Sequence, residues 1–376
     1  MARPRSTALD YAQLPTEATN PRSARLDTMA ADAVVRLMLN EEAKSVRAAA
    51  ARADVIGRAA ALVAQKLAAG GRLIYVGAGT SGRLGTLDAV ECVPTFGVPP
   101  SRVVGIIAGG PQALTRSVEG AEDNARDAEQ RLRRVAAGPA DVICCIAASG
   151  VTPFARAALE YARFRRAATI FVTCGRIDQL GTLGGFPDPS AKTPPGGAQL
   201  RARAGVTALA DVVVELPTGP EVIAGSTRLK AGTATKIVLN AISTAAFVLL
   251  GKTYGGLMID VRPTNAKLWA RAVRIVSSLT GLGDEAALKL IQKAGGRAKV
   301  ALVMHHAGVS AARARDLLVE HKGSLRSIVG DLDEGGRRTA APRAERGRAK
   351  DEEDDAAADS DDDSDDGVSS ATAKGA

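Results

Sequence analysis

A chain of 376 residues, 46% of them hydrophobic, holds enough apolar material for a full α/β core and a smaller second unit. The net charge of +8 hides an acidic block, Asp351 to Asp366, with eleven acids and no base; the more basic body carries scattered arginines without interleaved aromatics, which argues against a nucleic-acid partner. The four cysteines and three histidines lack metal-ligand spacing, no run approaches the ~18 uncharged apolar residues of a membrane span, and no apolar leader opens the chain, so we expect a cytoplasmic protein with no metal and no membrane partner.

Residues 1–60 read as an N-terminal arm and helix: Asp10 to Asp27 is turn-rich, and apolar positions recur at helical spacing from Met29 to Ala69. After Gly70-Gly71 short β-rich runs begin, at Leu73–Val76, Val103–Ile107, Val142–Ala147, Thr169–Thr173 and Val212–Leu216. They alternate with helical stretches near Gly85–Ala89, Gln112–Ala136 and Pro153–Arg165, which predicts an α/β fold with a doubly wound parallel sheet over 61–265. A Gly- and Pro-dense insert near 181–205 interrupts it. A long apolar helix is expected from Arg228 to Leu250. Residues 266–330 then read as a small C-terminal helical domain, its helices separated by Gly281, Gly295-Gly296 and Gly308. From 331 to 376 the composition cannot bury a core and predicts a disordered charged tail.

Three loops carry hydroxyls into helix starts. Gly77-Ala78-Gly79-Thr80-Ser81-Gly82 fits the dinucleotide pattern G-x-G-x-x-G, but the following strand, Val103 to Ile107, ends without the acidic residue that would hold a ribose. Backbone N–H groups beside Thr80 and Ser81 suit a phosphate monoester instead. Ser149-Gly150-Val151-Thr152 repeats this chemistry after another predicted parallel strand, and Gly225-Ser226-Thr227-Arg228-Leu229-Lys230 adds hydroxyls and cations, either Arg228 or Lys230 being able to neutralise phosphate. We expect Gly79, Thr80, Ser81, Ser149, Gly150, Thr152, Ser226 and Lys230 to bind substrate.

No Ser-His-Asp triad or Cys-His pair stands out, so carboxylates are the candidate catalysts. Glu91, among apolar neighbours in Asp88-Ala89-Val90-Glu91-Cys92-Val93-Pro94, fits a general acid of raised pKa. Glu119 and Glu122 stand three apart on an expected helix and share a face; spacing does not choose between them.

The run Gly77 to Gly85, followed by Leu87-Asp88-Ala89, Glu91-Cys92 and Pro94-Thr95-Phe96-Gly97, resembles the N-acetylmuramic acid 6-phosphate etherase family, enzymes of the sugar-isomerase (SIS) type. Further matching motifs are Thr16-Glu17 with Asn20-Pro21 and Ser23, Ile107 to Gly110, Val118 to Asp123, Gly225 to Lys230 and Thr264-Asn265, so the likeness runs from about Thr16 to Val329. It implies an SIS phosphosugar-binding domain, a lyase releasing D-lactate from a phosphorylated amino sugar, no cofactor, and a homodimer. By motif position it makes Glu91 the acid and Glu122 the base. Val90 and Val93 replace the Ser and Pro usual beside the acid, and Val151 replaces an Arg in the second loop. The alternatives are an aldose–ketose phosphate isomerase and a non-catalytic phosphosugar sensor.

Overall fold

The computed structural model describes residues 14–175, 206–261, 263–333 and 335–339; the 181–205 insert and the acidic block lie outside the described residues. Two N-terminal helices, α1 (Ala31–Ala50) and α2 (Ala53–Ala68), precede five strands: β1 (Leu73–Gly77), β2 (Val103–Ile107), β3 (Val142–Ile146), β4 (Ala168–Thr173) and β5 (Val212–Glu215). All pair in parallel, in the order β2-β1-β3-β4-β5. β1, β3 and β4 are buried at every residue, which is why they read as continuous apolar runs rather than alternating ones.

Each face of the sheet has its own core. On one, α2 and the long helix α6 (Lys230–Leu249) cover Leu73, Tyr75, Cys144, Ile146, Ile170 and Val172, joined by Ala89, Cys92 and Phe96 of α3 (Gly79–Phe96). On the other, α4 (Ala125–Arg134) and α5 (Pro153–Phe164) cover Ile74, Val76, Ile143, Cys145 and Phe171. The helix α6 is long and apolar enough to cross a membrane by length and composition, although Lys230, Lys236 and Asn240 interrupt its apolar residues. Its apolar face, including Val238, Leu239, Ile242 and Phe247, is buried in this core.

Beyond the sheet, α7 (Ala266–Thr280), α8 (Asp284–Lys293), α9 (Ala298–Ala307), α10 (Ala311–Glu320) and α11 (Arg326–Val329) surround a third core, as expected for a small helical unit. The Asn265 side chain caps α7 by accepting from Leu268 N at 2.9 Å, and Gly281 and Gly308 end α7 and α9 in the left-handed conformation. This unit is tied to the sheet domain at the end of α3. Gly97 there has φ 63°, and an added Cβ would stand 2.0 Å from the Asp260 carbonyl oxygen, so only glycine fits. The Asp260 carboxylate in turn meets Lys252 at 3.0 Å and Lys299, from α9, at 3.1 Å.

Two sequence expectations are corrected. The stretch Gln112–Ala136 is not one helix: short 3-10 turns at Pro111–Leu114 and Ala121–Asp123 precede α4, so Glu119 and Glu122 do not share a helical face. Gly120, at φ 69° between them, breaks the helical path. Nor does order end at residue 330. Asp331–Leu332 and Arg338–Thr339 form a two-stranded antiparallel pair, anchored where Gly335 N donates to Ser278 O and Leu332 N to the Tyr254 hydroxyl.

Candidate active site at the carboxyl edge of the sheet

In this strand order β2 is added on one side of β1 and β3 to β5 on the other, so the winding reverses between β1 and β3, and open α/β sheets bind ligands in the crevice that such a switch point creates. The loops after these two strands are the first two of the hydroxyl-bearing loops. They begin level with one another, Gly77 pairing with Ile146.

The β1 loop is built for close backbone approach. A Cβ on Gly77 would meet Gly82 N at 2.9 Å, and one on Gly82 would meet Gly77 O at 2.5 Å, so both positions require glycine for the strand to turn directly into α3. The N-cap of α3 is Ala78, which offers no side-chain oxygen, and the Thr80 and Ser81 hydroxyls take no hydrogen bond among the described residues. The first-turn N–H groups and two half-buried hydroxyls therefore remain available to an anion. The β3 loop is similar: Thr152 caps α5 without using its side chain, and the Ser149 hydroxyl only accepts weakly from Val151 N at 3.4 Å. Val151 in this loop is buried.

The third loop reaches the same crevice, since a Cβ on Gly232 in the first turn of α6 would lie 3.5 Å from Thr80 Cγ2. Its helix N-terminus is occupied by the protein itself, however. Glu221 accepts from Lys230 N at 3.0 Å and Ala231 N at 2.9 Å, filling the place an anion would take. Lys230, expected to bind substrate, is turned away: its side chain is 1% exposed and its ammonium meets Glu41 at 2.7 Å. Glu41 also receives Lys44 at 2.7 Å, Asn20 and Arg22. Burial pushes the Glu41 carboxyl up, but hydrogen bonds from Lys230 and Lys44 outweigh it and hold it down to about 2. The cation left in solvent is Arg228, which has no ion-pair partner among the described residues; Ser226 beside it is half-buried.

Glu122 stands beyond the end of β2, the neighbour of β1. Its loop packs against Gly109, where an added Cβ would come within 3.1 Å of Val118 and 3.3 Å of Ala121. Partial burial, then the neighbouring Asp123 and Glu119, raise its carboxyl above the ordinary value while the side chain still reaches solvent. Glu91 behaves differently from expectation. It is exposed, without the apolar enclosure its neighbours suggested, and twelve residues of helix place it ~18 Å along α3 from Gly79. Leu87, one turn before it on the same face, and the adjacent Val90 are 49% and 59% exposed.

The sequence motifs include Asp88, in Leu87-Asp88-Ala89, without giving it a role, and Glu221 stands in none of them. Asp88 is buried and accepts from Tyr75 at 2.7 Å, Asn240 at 2.6 Å and Ser243 at 3.1 Å, fixing α3 to β1 and α6; burial raises its carboxyl despite those bonds.

Comparison with known proteins bears on this geometry. The profile described as the glucokinase regulatory protein N-terminal SIS domain matches residues 54–163. Among curated relatives, proteins named N-acetylmuramic acid 6-phosphate etherase from Rhodopirellula baltica, Gloeobacter violaceus and Rubrobacter xylanophilus are 42%, 49% and 46% identical to this chain. The alignments cover 84%, 79% and 85% of this chain and 96%, 88% and 97% of theirs. A solved phosphoheptose isomerase from Neisseria gonorrhoeae is 15% identical, with a TM-score of 0.37 over 57% of this chain and 97% of that one.

Proposed function

The chain belongs to the N-acetylmuramic acid 6-phosphate etherase family, and on that premise we propose that it cleaves the D-lactyl ether of N-acetylmuramic acid 6-phosphate, giving N-acetylglucosamine 6-phosphate and D-lactate, with two glutamates as base and acid. The observation that carries the site is the pair of hydroxyl-bearing loops at the β1/β3 switch point, with their anion-binding groups left unused by the protein. The 6-phosphate sits there on the Thr80, Ser81, Ser149 and Thr152 hydroxyls and the first-turn N–H groups of α3, with Gly79 and Gly150 allowing close approach and Ser226 bordering the crevice. Arg228 replaces Lys230 as the cation.

With the sugar in its open-chain form, the aldehyde acidifies the proton on carbon 2. Glu122 removes that proton, and its raised carboxyl makes it a stronger base than an ordinary glutamate. The electrons of the broken C–H bond form the carbon 2–carbon 3 double bond as the carbon 3–oxygen bond breaks, and Glu91 protonates the departing lactate oxygen. Water then adds at carbon 3, returning a proton to carbon 2. The assignment of Glu91 and Glu122 follows their motif positions.

A single sugar phosphate bound at Gly79 does not span to Glu91 of the same chain, ~18 Å away along α3. We therefore place the acid of each site on a second copy of the chain, in a cytoplasmic homodimer; the exposed Leu87 and Val90 beside Glu91 give that copy an apolar face to cover. Glu91→Gln and Glu122→Gln should each lose 10²-fold or more in turnover. Mixing the two inactive variants tests the arrangement. Heterodimers hold one intact site, so random reassortment restores about one quarter of wild-type activity. No recovery among subunits shown to exchange would put both glutamates in one chain.

A further inference from the structure

Between the phosphate loop and Glu122 lies a contact that no catalytic role explains. Arg83 opens the second turn of α3, directly after Gly82, and its guanidinium reaches across to the segment that follows β2. Nε donates to Leu114 O at 3.3 Å and Nη2 to Arg116 O at 3.0 Å. The segment it grips runs on to Glu122 through Ser117 and Val118, and its far end is fastened by packing, where Val118 and Ala121 close on Gly109. The near end, at Arg116 and Ser117, is exposed and has no regular structure after the 3-10 turn Pro111–Leu114. Two hydrogen bonds from one guanidinium fork to carbonyls two residues apart in an irregular loop fix its direction as well as its distance, which a lysine at this position would not do.

We propose that Arg83 is a positioning residue: it clamps the loop bearing Glu122 to the helix whose first turn cradles the phosphate, so that base and phosphate site move as one body. This rests on the reading of Glu122 as the base. The physical consequence is a fixed separation between the group that holds carbon 6 and the group that works at carbon 2. Because a misplacement of about 1 Å at a reacting centre costs up to about 100-fold in rate, the clamp acts on turnover more than on binding.

The test uses the full-length protein and two substitutions, Arg83→Gln and Arg83→Lys. Arg83→Gln should lower kcat roughly 10- to 100-fold with KM changed less than about threefold, and Arg83→Lys, able to reach one carbonyl at a time, should fall between it and wild type. In parallel, amide hydrogen exchange across 112–124 should quicken in Arg83→Gln while β1 and β3 keep their protection. The exchange experiment does not depend on what Glu122 does. Unchanged exchange overturns the clamp itself, whereas full activity in Glu122→Gln overturns the base assignment and leaves the exchange result standing. Faster exchange with unchanged kcat shows that the loop's position does not matter to the chemistry. A rise in KM with unchanged kcat makes Arg83 a phosphate ligand instead.

Discussion

The starts of α3 and α6 look alike as sequence and differ as chemistry. Both carry a glycine and paired hydroxyls, Gly79-Thr80-Ser81 as the opening of α3 and Gly225-Ser226-Thr227 just before α6, and both helices are long and start beside the same crevice. At α3 the first-turn N–H groups and hydroxyls have no hydrogen-bond partners among the described residues; at α6 the Glu221 carboxylate accepts from two N–H groups, and the cation two residues after Arg228 is consumed in a buried ion pair with Glu41. A helix N-terminus thus becomes a ligand site only when the rest of the fold leaves it vacant. Here the vacant terminus is the one placed at the sheet's switch point.

The sharpest way to break this contrast is to strip the open terminus. Thr80→Ala combined with Ser81→Ala removes two hydrogen bonds to a charged phosphate, about 1.5–3 kcal/mol each, so KM for the phosphosugar should rise by two decades or more while thermal stability barely moves. An unchanged KM would move the phosphate elsewhere. Lys230→Met should do the reverse. It strands Glu41 in a buried setting and should cost about 3 kcal/mol in denaturant unfolding, the low end for a broken buried pair because Lys44 and Arg22 still face Glu41. Phosphosugar affinity measured on the folded fraction should stay the same; a selective loss of affinity would restore Lys230 to the binding site.

Smaller effects follow from the same comparison. Glu221→Gln weakens the charge at the α6 terminus and should cost about 1 kcal/mol. The Glu41 carboxyl is lower folded than unfolded, so its contribution is complete above the unfolded value of 4.5 and disappears as pH falls towards about 2; in Lys230→Met, acid unfolding should lose part of its steepness in that window. Least of all, Asp123→Asn removes a negative neighbour from Glu122 and lowers its carboxyl, which should shift the acidic limb of kcat/KM to lower pH by a fraction of a unit. A limb that stays fixed or moves upward would show that it reports another group.

Much of the sheet domain is legible in the sequence because its strands are buried on both faces, leaving continuous apolar runs such as Val142–Ile146 that the Gly-rich turns punctuate. The β1 loop is equally plain, since Gly77 and Gly82 are there for backbone approach. The fate of Lys230 is not, because its partner Glu41 stands 189 residues away and only the packing of α1 against α6 brings them together. Glu122 resists for a local reason: Gly120 in a left-handed turn defeats the helical spacing on which Glu119 and Glu122 seemed to share a face. The surroundings of Glu91 lie outside what one chain's pattern can express, since its apolar neighbours Leu87 and Val90 face away from their own core.

The most direct measurement follows the products of N-acetylmuramic acid 6-phosphate in water enriched in heavy oxygen. The expected products are D-lactate without label and N-acetylglucosamine 6-phosphate carrying one solvent oxygen at carbon 3, since the bond to that carbon breaks and water replaces it. Label in the lactate would place the cleavage on the other side of the ether oxygen, and a ketose phosphate formed without lactate would make the enzyme an isomerase; either result contradicts the account.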